Sequence, residues 1–212
     1  MARWLSERVC PTGKVVATDI NPRFLLRFNL PNLDVRQHDI RNDSLETDHY
    51  DLVHSRALLM HLPEPEKALN LMAEALRPGG WLFIEDFDFG SLLSADVTNP
   101  SAASMIEINR ALFEVLKKKR IMDAYFGRRE RGLIEQLGFV NVDHEGWTRM
   151  NRGGGSHAQF AVMTLQAGTR ALIAEGVVTQ QQVDSVEDLY KDPSFYWPEY
   201  TLFSAWGQKP LK

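Results

Sequence analysis

Three acids fall where apolar runs give way to turns. Asp19 ends the run Val15-Val16-Ala17-Thr18, Asp39 follows Leu33 and Val35, and Glu85-Asp86 closes Trp81-Leu82-Phe83-Ile84. In an open parallel sheet, ligands bind beyond the carboxyl ends of the strands. An ionised carboxylate there can only accept hydrogen bonds. Asp19 suits the vicinal hydroxyls of a ribose. Asp39 suits an exocyclic amine of a purine, with Ile40 packed against the ring. Aspartate is also a common turn residue after a strand, so one such acid says little; two in successive strand-turn units favour the ligand reading.

Further groups near the same strand ends could take up a proton: Asp86, Asp88, His54 and, more remotely, His144. For each histidine a satisfied or surface imidazole is the simpler account, and no base is assigned. The six histidines show no paired spacing with acids or cysteine that would make a metal site. Ser156-His157 follows a glycine run but lacks the strand-turn-helix setting of a nucleophile elbow. The cations Lys117, Lys118, Lys119 and Arg120, with Arg128, Arg129 and Arg131, are explained more simply by a helix dipole than by RNA contact. Phe87, Phe89, Phe113, Tyr125 and Phe126 suit either an acceptor pocket, with Phe87, Asp88 and Phe113 lining it, or the core of a helical cap.

The elements that position these residues alternate. Val15-Val16-Ala17 is short and apolar, as in a strand covered on both faces. Asn21-Pro22 predicts a helix start, with Phe24, Leu25 and Phe28 as its apolar face. A second strand is expected through Leu33 and Val35 to Asp39-Ile40, and a third over Tyr50-Asp51-Leu52-Val53-His54. Pro63 and Pro65 precede a helix carrying Leu69, Met72 and Leu76, which Pro78-Gly79-Gly80 stops; Trp81 to Glu85 is the fourth strand. Strands separated by helices in this way predict a parallel sheet.

Beyond Phe87 the rhythm changes. Residues 88–100 read as a long loop, and Ser101 as the cap of a helix with Met105, Ile108, Leu112 and Val115 on one face. A helix between Gly127 and Gly138, a strand near Phe139 to Val142 and a glycine break at residues 153–155 follow. Then come a helix from His157 closed by Gly176, a capping box at Thr179 and Gln182, and a last strand from Tyr200 to Ser204. An acid such as Asp19 lies roughly twenty residues past a glycine-rich loop in dinucleotide-type folds. Counting back from Asp19 passes residue 1. The chain is therefore expected to begin inside the first helix of its own cofactor-binding unit, consistent with Met1-Ala2-Arg3-Trp4-Leu5 reading as mid-helix.

Composition narrows the class. With 212 residues, 44 % hydrophobic and 25 % charged, one globular domain is expected. A net charge of −4 argues against life on nucleic-acid phosphates or anionic membranes. No apolar run reaches the ~20 residues of a membrane helix. Cys10 is the sole cysteine, which excludes an internal disulfide and fits a reducing cytoplasm.

The stretch Val16 to Pro22, Gln37-His38-Asp39-Ile40, Tyr50 to Arg56, and Ala75-Leu76-Arg77-Pro78-Gly79-Gly80-Trp81-Leu82 together resemble a class I S-adenosylmethionine-dependent methyltransferase. The ending Thr201 to Pro210 resembles the last strand of its small-molecule members. The leucine-arginine-Pro-Gly-Gly element before a strand is the most specific part. The resemblance implies an α/β, Rossmann-like, doubly wound sheet, mostly parallel with an antiparallel last strand, in one domain over residues 1–212 with a helical cap at 88–127. It implies that Asp19, with Ile20 beside it, binds the cofactor ribose. Asp39 and Ile40 would meet the adenine, and His54, Ser55 and Arg56 line the cofactor and acceptor side. The family's first strand and glycine loop have no counterpart here, so an amino-terminally truncated form, active or not, is expected. The expected reaction is methyl transfer from S-adenosylmethionine to a small-molecule acceptor. Two other readings stay open: a nicotinamide-dependent oxidoreductase, whose ribose Asp19 would also suit, and a remnant that dimerises or binds a partner through an exposed sheet.

Overall fold

The computed structural model describes residues 1–96 and 98–211. The chain divides into two compact units, Met1–Leu45 and Glu46–Lys212.

In the first unit, helix α1 (Ala2–Val9) precedes strands β1 (Val15–Asp19) and β2 (Leu33–Gln37). The strands pair in parallel, from Val15 opposite Leu33 to Asp19 opposite Gln37. Asn32 ties the unit together: its amide donates to the backbone oxygens of Ser6 and Gly13 at 2.9 and 3.1 Å. Two expectations fail here. The helix predicted after Asn21 is only a 3₁₀ turn, Pro22–Phe24, and Asn21 makes no side-chain cap. Pro31 turns Leu30 from helical geometry, and without a side-chain cap at Asn21 the segment stays a single turn. Phe24 and Leu26 accordingly stand exposed. Strand β2 stops at Gln37, so Asp39 sits in the following turn.

The second unit opens with β3 (Tyr50–Arg56), α2 (Pro65–Ala75) and β4 (Leu76–Asp88). Helix α2 buries Ala68, Leu69, Met72 and Ala75 along one face, as its spacing predicts. After α3 (Pro100–Lys118) and α4 (Glu130–Gln136) come β5 (Val140–Trp147), β6 (Met150–Arg152) and α5 (Ser156–Ala174). The remainder is α6 (Gln180–Lys191), β7 (Tyr196–Pro198) and β8 (Thr201–Gln208). The main sheet has the order β3-β4-β8-β5. Strands β3 and β4 are parallel, and β8 is antiparallel to both its neighbours, as expected of the last strand.

Pro78-Gly79-Gly80 does not separate a helix from a strand. Strand β4 starts at Leu76, and the element forms a bulge: Tyr50 faces Leu76, yet Leu52 already faces Trp81. Gly79 has φ +78°, and a side chain on Gly80 would lie 3.0 Å from the Tyr50 carbonyl oxygen. The bulge therefore demands both glycines. Helix α3 is capped by Asn99, whose Oδ1 accepts from the Ser101 N–H at 2.9 Å, with Pro100 as first helical residue. Ser101 lies inside the helix, not at its cap. The short pair β6-β7 was not anticipated; β5 and β8 run further than expected.

Two apolar centres result. Leu76, Leu82 and Ile84 are fully buried in β4. A helical layer packs Met105, Ile108 and Leu112 of α3 against Leu165 and Leu172 of α5 and Val183 and Val186 of α6. Residues 88–127 supply α3 and Leu92 to it; α5 and α6 come from further along the chain. Thr179 and Gln182 form the reciprocal capping box. Among the described residues no helix is long and apolar enough to cross a membrane.

Candidate functional site

Asp19 ends β1 as an exposed carboxylate. Its Oδ1 accepts the Asn21 N–H at 2.7 Å, closing the turn. Among the described residues no hydrogen bond reaches Oδ2, which leaves an acceptor facing solvent. Ile20 beside it is 56 % exposed.

Asp39 is different. Arg41 grips it with Nε to Oδ1 at 2.8 Å and Nη2 to Oδ2 at 2.7 Å, and the Arg41 N–H and Asn42 amide add bonds at 3.1 and 3.2 Å. The guanidinium and backbone bonds of Arg41 hold the carboxyl down at about 2. Its acceptor places are taken, so an adenine amine meets Asp39 only if Arg41 swings aside. Ile40 is half-buried next to it.

In the second unit, His54, Ser55 and Arg56 finish β3 beside Glu85 of β4. His54 Nε2 lies 2.8 Å from Glu85 Oε2, and the Ser204 hydroxyl donates to Glu85 Oε1 at 3.2 Å. The imidazole stacks on Phe83 at 5.5 Å. A donated Nε2–H leaves Nδ1 as a proton acceptor. Ser55 is buried and its hydroxyl has no partner among the described residues; Arg56 is exposed. The chain leaves the strand through Ala57, at φ +49°.

The strongest electrostatics lie behind this edge. Asp86 is fully buried, with the backbone amides of Leu58, Leu59 and Met60 facing it, the Met60 N–H at 3.5 Å from Oδ1. Burial outweighs these amides and pushes the carboxyl up to about 7. Glu130, at the start of α4, is also fully buried, and neither carboxyl oxygen has a partner among the described residues. Burial, reinforced by Asp86 and Glu85, pushes it up to about 10. A helix start favours a carboxylate by about 1 kcal/mol, whereas unpaired burial costs several. Glu130 is thus a protonated acid at neutral pH. Gly127 permits the approach that creates this: a side chain there would sit 2.4 Å from the Asp86 carbonyl oxygen.

The expected acceptor-side residues are all engaged. Arg128 binds Asp88 with paired bonds of 2.8 and 2.7 Å, and Asp88 Oδ1 also accepts the Gly90 N–H. Phe89 packs on Phe87, Phe113 and Tyr200 with ring centres 5.6, 4.7 and 4.2 Å apart, distances of direct contact. His144 lies exposed on β5 near Arg131, 3.3 Å away. Sequence reasoning missed three residues. Arg41, two residues past Asp39, was visible as a cation; Arg128 was read as part of a cationic helix end, and Glu130 was not singled out.

Residues 1–144 match the family model described as methyltransferase domain. The methyltransferase str3 of Strobilurus tenacellus is 31 % identical over 139 residues, 62 % of this chain and 47 % of that protein. A 37.1 kDa protein in transposon Tn4556 of Streptomyces fradiae is 27 % identical over 177 residues, 81 % of this chain and 49 % of that protein. The chain spans about half or less of the length of the curated relatives it matches. Among solved structures, an S-adenosylmethionine-dependent methyltransferase of Methanosarcina mazei superposes with a TM-score of 0.52 at 11 % identity. The match covers 100 % of this chain and 88 % of that one. Such identity speaks for the fold alone. With a family model matching well over half of its residues, the chain belongs to the methyltransferase domain family.

Proposed function

We propose that the protein transfers a methyl group from S-adenosylmethionine to a small-molecule acceptor. The observation that carries the reading is the family match over residues 1–144, with Asp19 at a strand end holding a carboxylate oxygen that accepts no bond among the described residues. The exposed Asp19 fits a ribose diol; Ile20 and Ile40 fit apolar contact with the adenosine. Asp39 fits an amine donor once Arg41 yields. His54, Ser55 and Arg56 are assigned to the reacting end, with Phe87, Asp88 and Phe113 behind it on the acceptor side.

The cofactor supplies an already activated methyl group when bound, so the chain's task is to orient the nucleophile. A base is needed only where the acceptor atom carries a proton. His54 suits that role better than the buried Asp86 or the paired Asp88, because Glu85 orients its ring and leaves Nδ1 to accept.

Calorimetric titration with S-adenosylhomocysteine tests the proposal. The folded chain is expected to bind it, and Asp19→Ala to weaken binding at least tenfold, the worth of bonds to a charged group. A folded chain that binds none, or an Asp19→Ala variant that binds equally well, overturns the reading.

A further inference from the structure

A cavity of about 240 Å³ in the second unit opens between the start of α2 and the end of α3. Leu62, Pro63 and Pro65 form its apolar wall; its charges are Lys117, Arg120, Arg129, Glu66 and Asp123. Arg129 and Asp123 neutralise each other at 3.0 Å. Among the described residues neither Lys117 nor Arg120 has a carboxylate partner. Lys117 instead sits 5.5 Å over the Tyr125 ring, and Arg120 Nη2 reaches the Pro63 carbonyl at 3.3 Å. Two cations thus face one cavity against the lone carboxylate of Glu66.

The helix dipole accounts for cations near the end of α3. It does not account for the backbone of Arg120. Helix α3 ends in a Schellman motif, with the Arg120 N–H bonded to Lys117 O and the Ile121 N–H to Leu116 O, both at 2.9 Å. The residue at this position must be left-handed and is usually glycine. Here it is arginine at φ +55°. Asp48, Ala57 and Asn141 also have positive φ, but Arg120 alone of the four lines this cavity, and such an outlier is a starting point for a functional hypothesis.

We propose that this cavity is a binding site for a small phosphate-bearing anion, held by the Arg120 fork and the Lys117 ammonium. Arg120 presents paired donors matched to phosphate, and Lys117 adds a point charge. The volume falls short of the ~300–1,000 Å³ that encloses drug-sized ligands and suits an ion or one small phosphomonoester. The Asp123 N–H bond to Met60 O, 2.7 Å, fixes the two walls against each other, so the site is preformed.

The test is thermal unfolding of the whole chain in about 10 mM inorganic phosphate against chloride at equal ionic strength, with calorimetry for affinity. Phosphate is expected to raise Tm by a few degrees. Arg120→Gly is expected to raise Tm by a few degrees without ligand, by releasing the left-handed strain, and to weaken phosphate binding at least tenfold. Lys117→Gln is expected to weaken it severalfold, with only a small fall in the ligand-free Tm from the lost ring and helix-end contacts. No phosphate effect on the unmodified chain, or an effect undiminished in both variants, overturns the site. Arg120→Gly that melts lower than the parent overturns the strain argument.

Discussion

Replacing Glu130 by glutamine should make the protein more stable, and increasingly so as pH rises. Glu130 is fully buried, without a hydrogen-bond partner among the described residues, and pushed from 4.5 up to about 10. The folded state keeps the proton through the range in which the unfolded chain has released it. Where the native state binds more protons, stability falls with pH. The contribution is intact below about pH 4.5 and is lost until the folded group itself ionises near 10. Neutral pH lies 2.5 units (7 − 4.5) above the ordinary value, and at about 1.4 kcal/mol per unit the retained proton costs about 3 kcal/mol. Asp86 moves the same way, but its share is spent by about pH 7. The clean window is therefore pH 7 to 9. There the advantage of Glu130→Gln should grow by about 3 kcal/mol, or about 5–10 °C in Tm for a chain of this size. Urea and thermal unfolding by circular dichroism at pH 5, 7 and 9 measure it. The two proteins should agree within about 1 kcal/mol at pH 5. Parallel curves across the whole range would refute the reasoning, since Glu130 would then be ionised and satisfied in the folded state.

Two further outcomes follow from the same corner of the fold. Gly127→Ala puts a methyl group against the Asp86 carbonyl at 2.4 Å and should cost about 1–3 kcal/mol in urea unfolding; no loss would mean that the turn gives way freely. Arg128→Ala leaves the buried Asp88 with only the Gly90 N–H and should cost about 1–2 kcal/mol, since Arg128 is itself half exposed. Arg128→Lys should recover less than half of that, because an ammonium cannot supply the paired bonds.

What was legible in the sequence is what local chemistry decides. The apolar runs at Val15 and Trp81, the periodicity of Leu69 and Met72, and the Thr179–Gln182 capping box each announce their element without reference to anything distant. Phe24, Leu25 and Phe28 misled because helical spacing says nothing about whether a face finds cover; Phe24 is 65 % exposed and no helix forms. Pro78-Gly79-Gly80 reads equally as a helix stop or a bulge, and only pairing with β3 decides. Asp19 was legible as an available carboxylate. The saturation of Asp39 by Arg41 and the burial of Glu130 depend on side-chain placement, which charge patterning alone does not reveal.

Strand β8 lies between β4 and β5, yet follows β5 in sequence by the whole of α5 and α6. Until residues 201–208 arrive, the inner edges of both neighbours present unpaired amides and carbonyls. Sheet closure is therefore a non-local event that waits for two helices to be made, with the loop-closure entropy that this entails. A nascent chain arrested within α6 would carry two open sheet edges and should be a chaperone client. A nick in the short link between β7 and β8 would leave β5's only described strand neighbour held by sheet pairing and packing alone.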